Sequence, residues 1–321
     1  MRTLAVLLSV AGLIPCLSSN RPAQVTDARA ILERYLAAPI PEGPSKTDAP
    51  DSRAVRVSDQ ARLDRNAILN ELSPLSDEAV AAAEPVIFKR ANSLQRAEIV
   101  SMLGDHIQTR ACAELLHRVV QDIRQPNVQG DALMEELVRC DAALGLRNLS
   151  RRVERGGGKR VQSGSVHEPK VPGLVPWLIE AANDPSERVR TFALYGLADS
   201  LDPAAVADLK KHLKGSSQTV RFYAACFLTE FQDASGLSEM REALARLRKA
   251  GEMRRENMLE YWHQAEMLLA SFERITGKSF GEIPLNPTLS SVAGAGVREY
   301  HELMDTWAAW WDWRPEPKIF Q

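Results

Sequence analysis

The sequence predicts an all-α protein, a solenoid of stacked antiparallel helix pairs closed at its C-terminal end by a Trp-rich helix. Three observations carry that reading. Apolar residues recur at three- and four-residue spacing along most of the chain, with neither strand-like alternation nor a hairpin signal. A short motif returns after 31 residues, in step with a second motif in the preceding helix. Near the C-terminus Trp307, Trp310 and Trp311 stand at i, i+3 and i+4, so the three indoles share one side of a helix.

Residues 1–19 read as a secretory signal peptide. Arg2 supplies the positive start, the run from Leu4 to Leu17 is mostly apolar, and Ser18-Ser19 offers small residues for cleavage. The run is shorter than the roughly 20 residues a membrane-spanning helix needs. Cys16 follows Pro15, where a lipoprotein signal wants a small residue, so the expected fate is export to the periplasm or medium without a lipid anchor. Residues 20–57 hold one amphipathic helix, with Ile31, Leu32, Tyr35 and Leu36 on one side and Thr26 or Asp27 as cap, then a Pro-rich linker.

Residues 58–276 form the predicted solenoid. Val189-Arg190 is followed by Ala193 and Leu197; Val220-Arg221 is followed by Ala224 and Leu228 at the same spacing. Arg96 opens an earlier copy through Leu103. Leu115, Leu178 and Leu209 mark the preceding helices on the same beat. In the clearest unit Asn183-Asp184-Pro185-Ser186 turns the chain: Asp184 accepts local hydrogen bonds, Pro185 presets its own φ and Ser186 caps. One such pair cannot bury its apolar face alone, but stacked neighbours can.

On these residues the chain resembles the HEAT-repeat family, particularly the short bacterial type also seen in phycobilisome-lyase-like proteins. The likeness is good over residues 174–247, weaker over 79–120 and poor over 126–171. It implies a right-handed superhelix and assigns to Arg190 and Arg221 a packing role between units. It implies no particular reaction.

Residues 155–173 break the beat. Gly156-Gly157-Gly158 and Ser163-Gly164-Ser165 hold a helix poorly, so a long exposed loop is expected between repeats. Residues 277–321 begin with Gly277, placed to end a helix in the left-handed conformation. They finish with a helix over 297–313. Its indoles either cap the solenoid or form an aromatic ligand or partner surface of Trp307, Trp310, Trp311 and Trp313.

Catalytic motifs are incomplete. Gly157-Gly158-Lys159 lacks the phosphate loop's first Gly, since Val153 stands there, and Arg160 replaces the Ser or Thr after the Lys. Ser163 lacks a nucleophile-elbow frame. The pairs His167-Glu168 and His301-Glu302 resemble the iron-binding pairs of deoxyhypusine hydroxylase, a HEAT-repeat enzyme, but fall at non-equivalent positions. Cys112, Cys140 and Cys226 sit in apolar helical stretches, as buried thiols do. A net charge of −2 and a basic cluster running from Arg147 into the Gly-rich loop give no support to a nucleic-acid partner. The expectation is therefore a non-catalytic scaffold for a protein partner in the bacterial envelope, with no cofactor, no metal and no transmembrane span in the mature chain. The alternatives are a metal-dependent enzyme or lyase on the same frame, and an aromatic ligand-binding module.

Overall fold

A computed structural model describes residues 27–39, 63–89, 91–123, 131–152, 168–249, 258–281 and 295–312. The expected signal peptide, most of the Pro-rich linker, the start of the 155–173 insertion and Trp313 lie outside the described residues. Within them all regular structure is helical.

Helix α1 (Ala28–Ala37) is capped by Asp27, whose carboxylate accepts from the Arg29 N–H. A second helix, α2, covers residues 63–70. Five pairs follow: α3 (Ser76–Lys89) with α4 (Ser93–His106), α5 (Arg110–Gln121) with α6 (Asp131–Ser150), α7 (Val175–Ala181) with α8 (Glu187–Ser200), α9 (Ala204–His212) with α10 (Gln218–Leu228), and α11 (Leu237–Lys249) with α12 (Met258–Thr276). Helix α13 (Ala295–Asp312) comes last.

The pairs stack in two layers. The second helices α4, α6, α8, α10 and α12 each pack on the next, while α3, α5, α7 and α9 form the other layer. Contacts within the second-helix layer, the inner layer, are the more extensive. The fold class is as the sequence predicts. Leu115, Leu178 and Leu209 are buried in the first-helix layer; Val189, Ala193 and Leu197 and their counterparts Val220, Ala224 and Leu228 are buried in the second. No helix among the described residues is long and apolar enough to cross a membrane.

Local chemistry sets each hairpin. Ser186 and Ser217 cap α8 and α10 by accepting from the Val189 and Val220 N–H groups, in the same register. Their hydroxyls also donate to Glu136 and Glu187 on the preceding second helix, at 2.8 and 2.6 Å, so each cap ties two units. Asn92 and Gln95 form a reciprocal capping box at α4.

Helix α6 is the surprise. It lies in the stretch of poor repeat likeness, yet it packs extensively between α4 and α8 in the inner layer. Glycine allows this. A Cβ on Gly104 would stand 2.6 Å from the Gly145 Cα, and one on Gly145 2.9 Å from the Gly104 Cα, so the two backbones touch where any side chain would part them.

The expected exposed loop needs a correction at its end. Val171 is only 4 % exposed, and its N–H donates to the Leu149 carbonyl at 2.9 Å. Val171 is thus seated against the end of α6, while Glu168, Lys170, Pro172 and Gly173 around it are exposed.

The C-terminal helix closes the stack. Trp307 is fully buried and Trp311 4 % exposed. Their rings lie 5.1 and 5.6 Å from Phe272 of α12, on the Leu268–Phe272–Ile275 face, as the capping reading expects. Phe280, just past the left-handed Gly277 that ends α12, sets its ring edge on Trp307 at 4.8 Å. Helix α13 also reaches α11, where Arg248 pairs with Asp305 at 2.7 Å.

Candidate functional site

Burial overturns the reading of Trp307 and Trp311 as a ligand surface. Both are part of the core, because an uncovered end of the stack would leave Phe272 and its neighbours in water. Trp310 is half-buried and packs edge-on against Trp307 and Trp311 at 5.5 and 4.9 Å, so it too supports the cap.

Arg190 and Arg221 act alike, and in a way the repeat register foreshadows only in part. Arg190 Nη1 donates to the carbonyls of Asp184 and Pro185 at 2.8 and 2.9 Å; Arg221 Nη1 donates to those of Gly215 and Ser216 at 3.0 and 3.1 Å. Each arginine therefore fastens the turn of its own hairpin. The link between units that the family resemblance implies for both is present only at Arg221, whose Nε donates to Glu239 of α11 at 3.0 Å. The more buried ties between units come from Arg96, which opens the earlier copy of the motif, and from Arg139, which the motif does not mark. Buried Arg96 binds Glu135 of α6 and, at 2.8 Å, Asp122, while Arg139 reaches Asp184 at the next turn.

The chemically richest place on the inner layer joins α6, α8, α10 and α12. Asp199, fully buried, accepts from Arg147 Nε at 2.6 Å. The Arg147 guanidinium lies 4.8 Å above the Tyr195 ring. The Tyr195 hydroxyl is hydrogen-bonded to Nε2 of His263, two units along. Phe227 and Tyr223 of α10 pack beneath, with ring centroids 4.6 and 5.4 Å from Tyr195. His263 is exposed, Met267 half-buried, and burial holds the carboxyl of Glu266 above its ordinary range. Stacking explains the arrangement: α8 and α12 each pack on α10, and Tyr195 reaches His263 across it. Tyr195, Tyr223 and Phe227 are buried, so what the cluster presents outward is the His263 imidazole near a half-buried cation fixed by a buried carboxylate. Sequence reasoning passed over Tyr195, Tyr223 and His263 because they occupy different positions within their units. Arg147 was counted only as part of a basic run.

The two His-Glu pairs are not brought into one site. His301 is hydrogen-bonded to the Tyr261 hydroxyl at 3.2 Å in the C-terminal cap, and Glu302 is exposed. Glu168 is exposed and stands 3.7 Å from Arg152 beside α6, while His167 lies outside the described residues. Among the described residues no group of three or more His, Cys, Asp or Glu side chains could hold a metal ion. Cys112, Cys140 and Cys226 are buried free thiols, each pushed up to about 12 chiefly by burial, so none is a thiolate near neutral pH.

No family model matches the chain, and no curated protein matches it in sequence. Among solved structures it is similar to human deoxyhypusine hydroxylase in complex with glycerol, at 17 % identity over 88 % of this chain and 97 % of that one, with a TM-score of 0.24. That score is too low to imply a shared topology.

Proposed function

We propose that this chain is a non-catalytic, HEAT-type scaffold of the bacterial envelope that holds a protein partner on the inner face of its C-terminal half. One observation supports the reading: three successive second helices join buried Tyr195 and Tyr223 to exposed His263, an arrangement that exists only because the units stack. A solenoid presents an extended surface to a partner, and here exposed His263 and half-buried Arg147 supply polar groups on it. Export, as residues 1–19 suggest, places the partner outside the cytoplasm.

The test is an affinity capture from the exporting cell with wild-type chain and His263→Ala. His263 is exposed, so its truncation leaves the fold intact. The expected result is one partner retained by the wild type and lost, or held at least tenfold more weakly, by the variant. Equal retention by both, or turnover of a small molecule by the purified chain without any partner, overturns the proposal.

A further inference from the structure

Helix α6 keeps one strip of its surface open between its two neighbours in the inner layer. Met134, Leu137, Asp141 and Leu144 fall at i, i+3, i+7 and i+10, so they line one side of the helix. All four are half-buried, whereas Val138, Ala142, Leu146 and Leu149, on its other side, are buried. The strip runs between the contact with α4 at Gly145 and the contact with α8 at Arg147. Phe192 borders it. The ties Glu136–Ser186 and Arg147–Asp199 require α6 and α8 to run side by side in the same direction, which sets half-buried Phe192 level with Asp141. Phe192 lies one turn before Tyr195, which joins the strip to the His263 cluster.

Asp141 is the member that does not fit an ordinary apolar face. Its carboxyl stands between Leu137 and Leu144, and among the described residues no group donates a hydrogen bond to it. The chain brings it no cation either. Arg188, the exposed cation of α8 on this side, bears on Cys140 and not on Asp141, and the charge that does reach Asp141 is the like charge of Asp105. A carboxylate half-withdrawn from water among apolar side chains is stabilised by a counter-charge, and here that charge must come from outside the chain.

Geometry selects the shape of what supplies it. From Met134 to Leu144 the strip is straight and about 15 Å long. Apolar groups at this spacing match those on one side of a second helix laid along it. A helix satisfies its own backbone hydrogen bonds, whereas an extended peptide draws on a sheet edge, and the inner layer is built of helices.

We propose that this strip seats an amphipathic helix of the protein partner, whose apolar side chains lie on Met134, Leu137, Leu144 and Phe192 and whose Lys or Arg pairs with Asp141. This rests on the reading of the inner layer as the face that holds a protein partner, and it names the chemistry of what is held. The pair forms inside an apolar contact, so it selects a helix with a basic residue at that place over a neutral or acidic one.

The experiment is selection on the full chain of phage-displayed helical peptides of about 14 residues, long enough to cover the strip. The expected peptides carry apolar residues at i, i+3 or i+4, and i+7, with a Lys or Arg on the same side. A synthetic copy should bind Asp141→Asn about tenfold more weakly than wild type, since that variant keeps the shape and loses the charge. Replacing the peptide's basic residue by Gln should remove the difference. Selection of no peptide, selection of peptides without a basic residue, or equal binding to wild type and Asp141→Asn overturns the proposal. The two readings fail separately. A cellular partner lost by His263→Ala but held as tightly by Asp141→Asn as by wild type removes the strip and leaves the His263 site standing; the opposite pattern removes the His263 site and leaves the strip.

Discussion

The two ends of the stack face the same problem and solve it with opposite chemistry. Each terminal unit has an apolar face with no further repeat to cover it. At the C-terminal end α13 covers it with rings: Trp307 and Trp311 on Phe272, Phe280 across Trp307, and Arg241 5.8 Å above Trp311. At the N-terminal end α1 buries Ile31 and Leu32 but is fastened by a polar clasp. Arg65, 1 % exposed, donates to Glu98 through Nη2 at 2.7 Å and Nε at 3.2 Å. Its Nη1 reaches the Ala38 carbonyl at 3.1 Å, and its plane stacks 4.3 Å over Tyr35, whose hydroxyl donates to the same Glu98. The aromatic cap depends on shape and area. The clasp depends on every member being present, since a buried charge is tolerated only while it is paired.

The largest expected effect tests the aromatic end. Trp307→Ala removes a fully buried indole from the middle of the cluster, so a loss of about 4 kcal/mol is expected from transfer and cavity terms together. Calorimetric unfolding measures it, and hydrogen exchange should place the loss in α11–α13. Trp310→Ala, at a half-buried position, should cost well under half as much. Equal costs at the two positions would mean that α13 is not seated as described.

The clasp should fail differently. Arg65→Ala leaves Glu98 beneath α1 with no guanidinium, and about 3 kcal/mol is expected, near the lower end for breaking a buried pair because Glu98 keeps some contact with solvent. The double replacement Arg65→Met with Glu98→Leu should recover most of that loss, since an apolar pair of similar volume needs no counter-charge. No pair of substitutions restores Trp307→Ala so simply. If the double variant is as unstable as Arg65→Ala, the clasp holds by geometry and hydrogen bonding to Ala38 and Tyr35, and the contrast between the ends narrows.

The aromatic end could be read from sequence far better than the polar one, for a physical reason. Three indoles on one helical side declare a buried face through local spacing alone, as Leu268, Phe272 and Ile275 do on the helix they meet. Arg65 and Glu98 are 33 residues apart and each looks like ordinary helix-surface charge until α1 lies across them. The same distinction runs through the stack. The turns were legible because Asp184, Ser186 and Ser217 act within a few residues of themselves. Helix α6 was not, because its fit depends on Gly145 meeting Gly104 from 41 positions away in the chain, and a glycine within a helix reads locally as a weakness. The inner cluster was hidden for the same reason: Tyr195 meets His263, 68 positions on, only when the units stack.

The smallest expected effect compares two middle units that differ by a single contact. Arg190 and Arg221 each hold two turn carbonyls in matching geometry, so replacing either by Ala should cost about 1 kcal/mol for that shared function. Arg221 adds the bond to Glu239, which is itself largely buried and whose other cation, Arg246, stands farther off at 3.7 Å. Arg221→Ala leaves Glu239 poorly paired and should cost about 2 kcal/mol. Denaturant unfolding of the two variants at matched conditions resolves the difference. A larger loss for Arg190→Ala would reverse the order and show that fastening the hairpin turn outweighs the tie to the next unit. The expected order makes the tie between units the greater share, and it predicts that Glu239→Gln narrows the gap by weakening only the bond that Arg190 lacks.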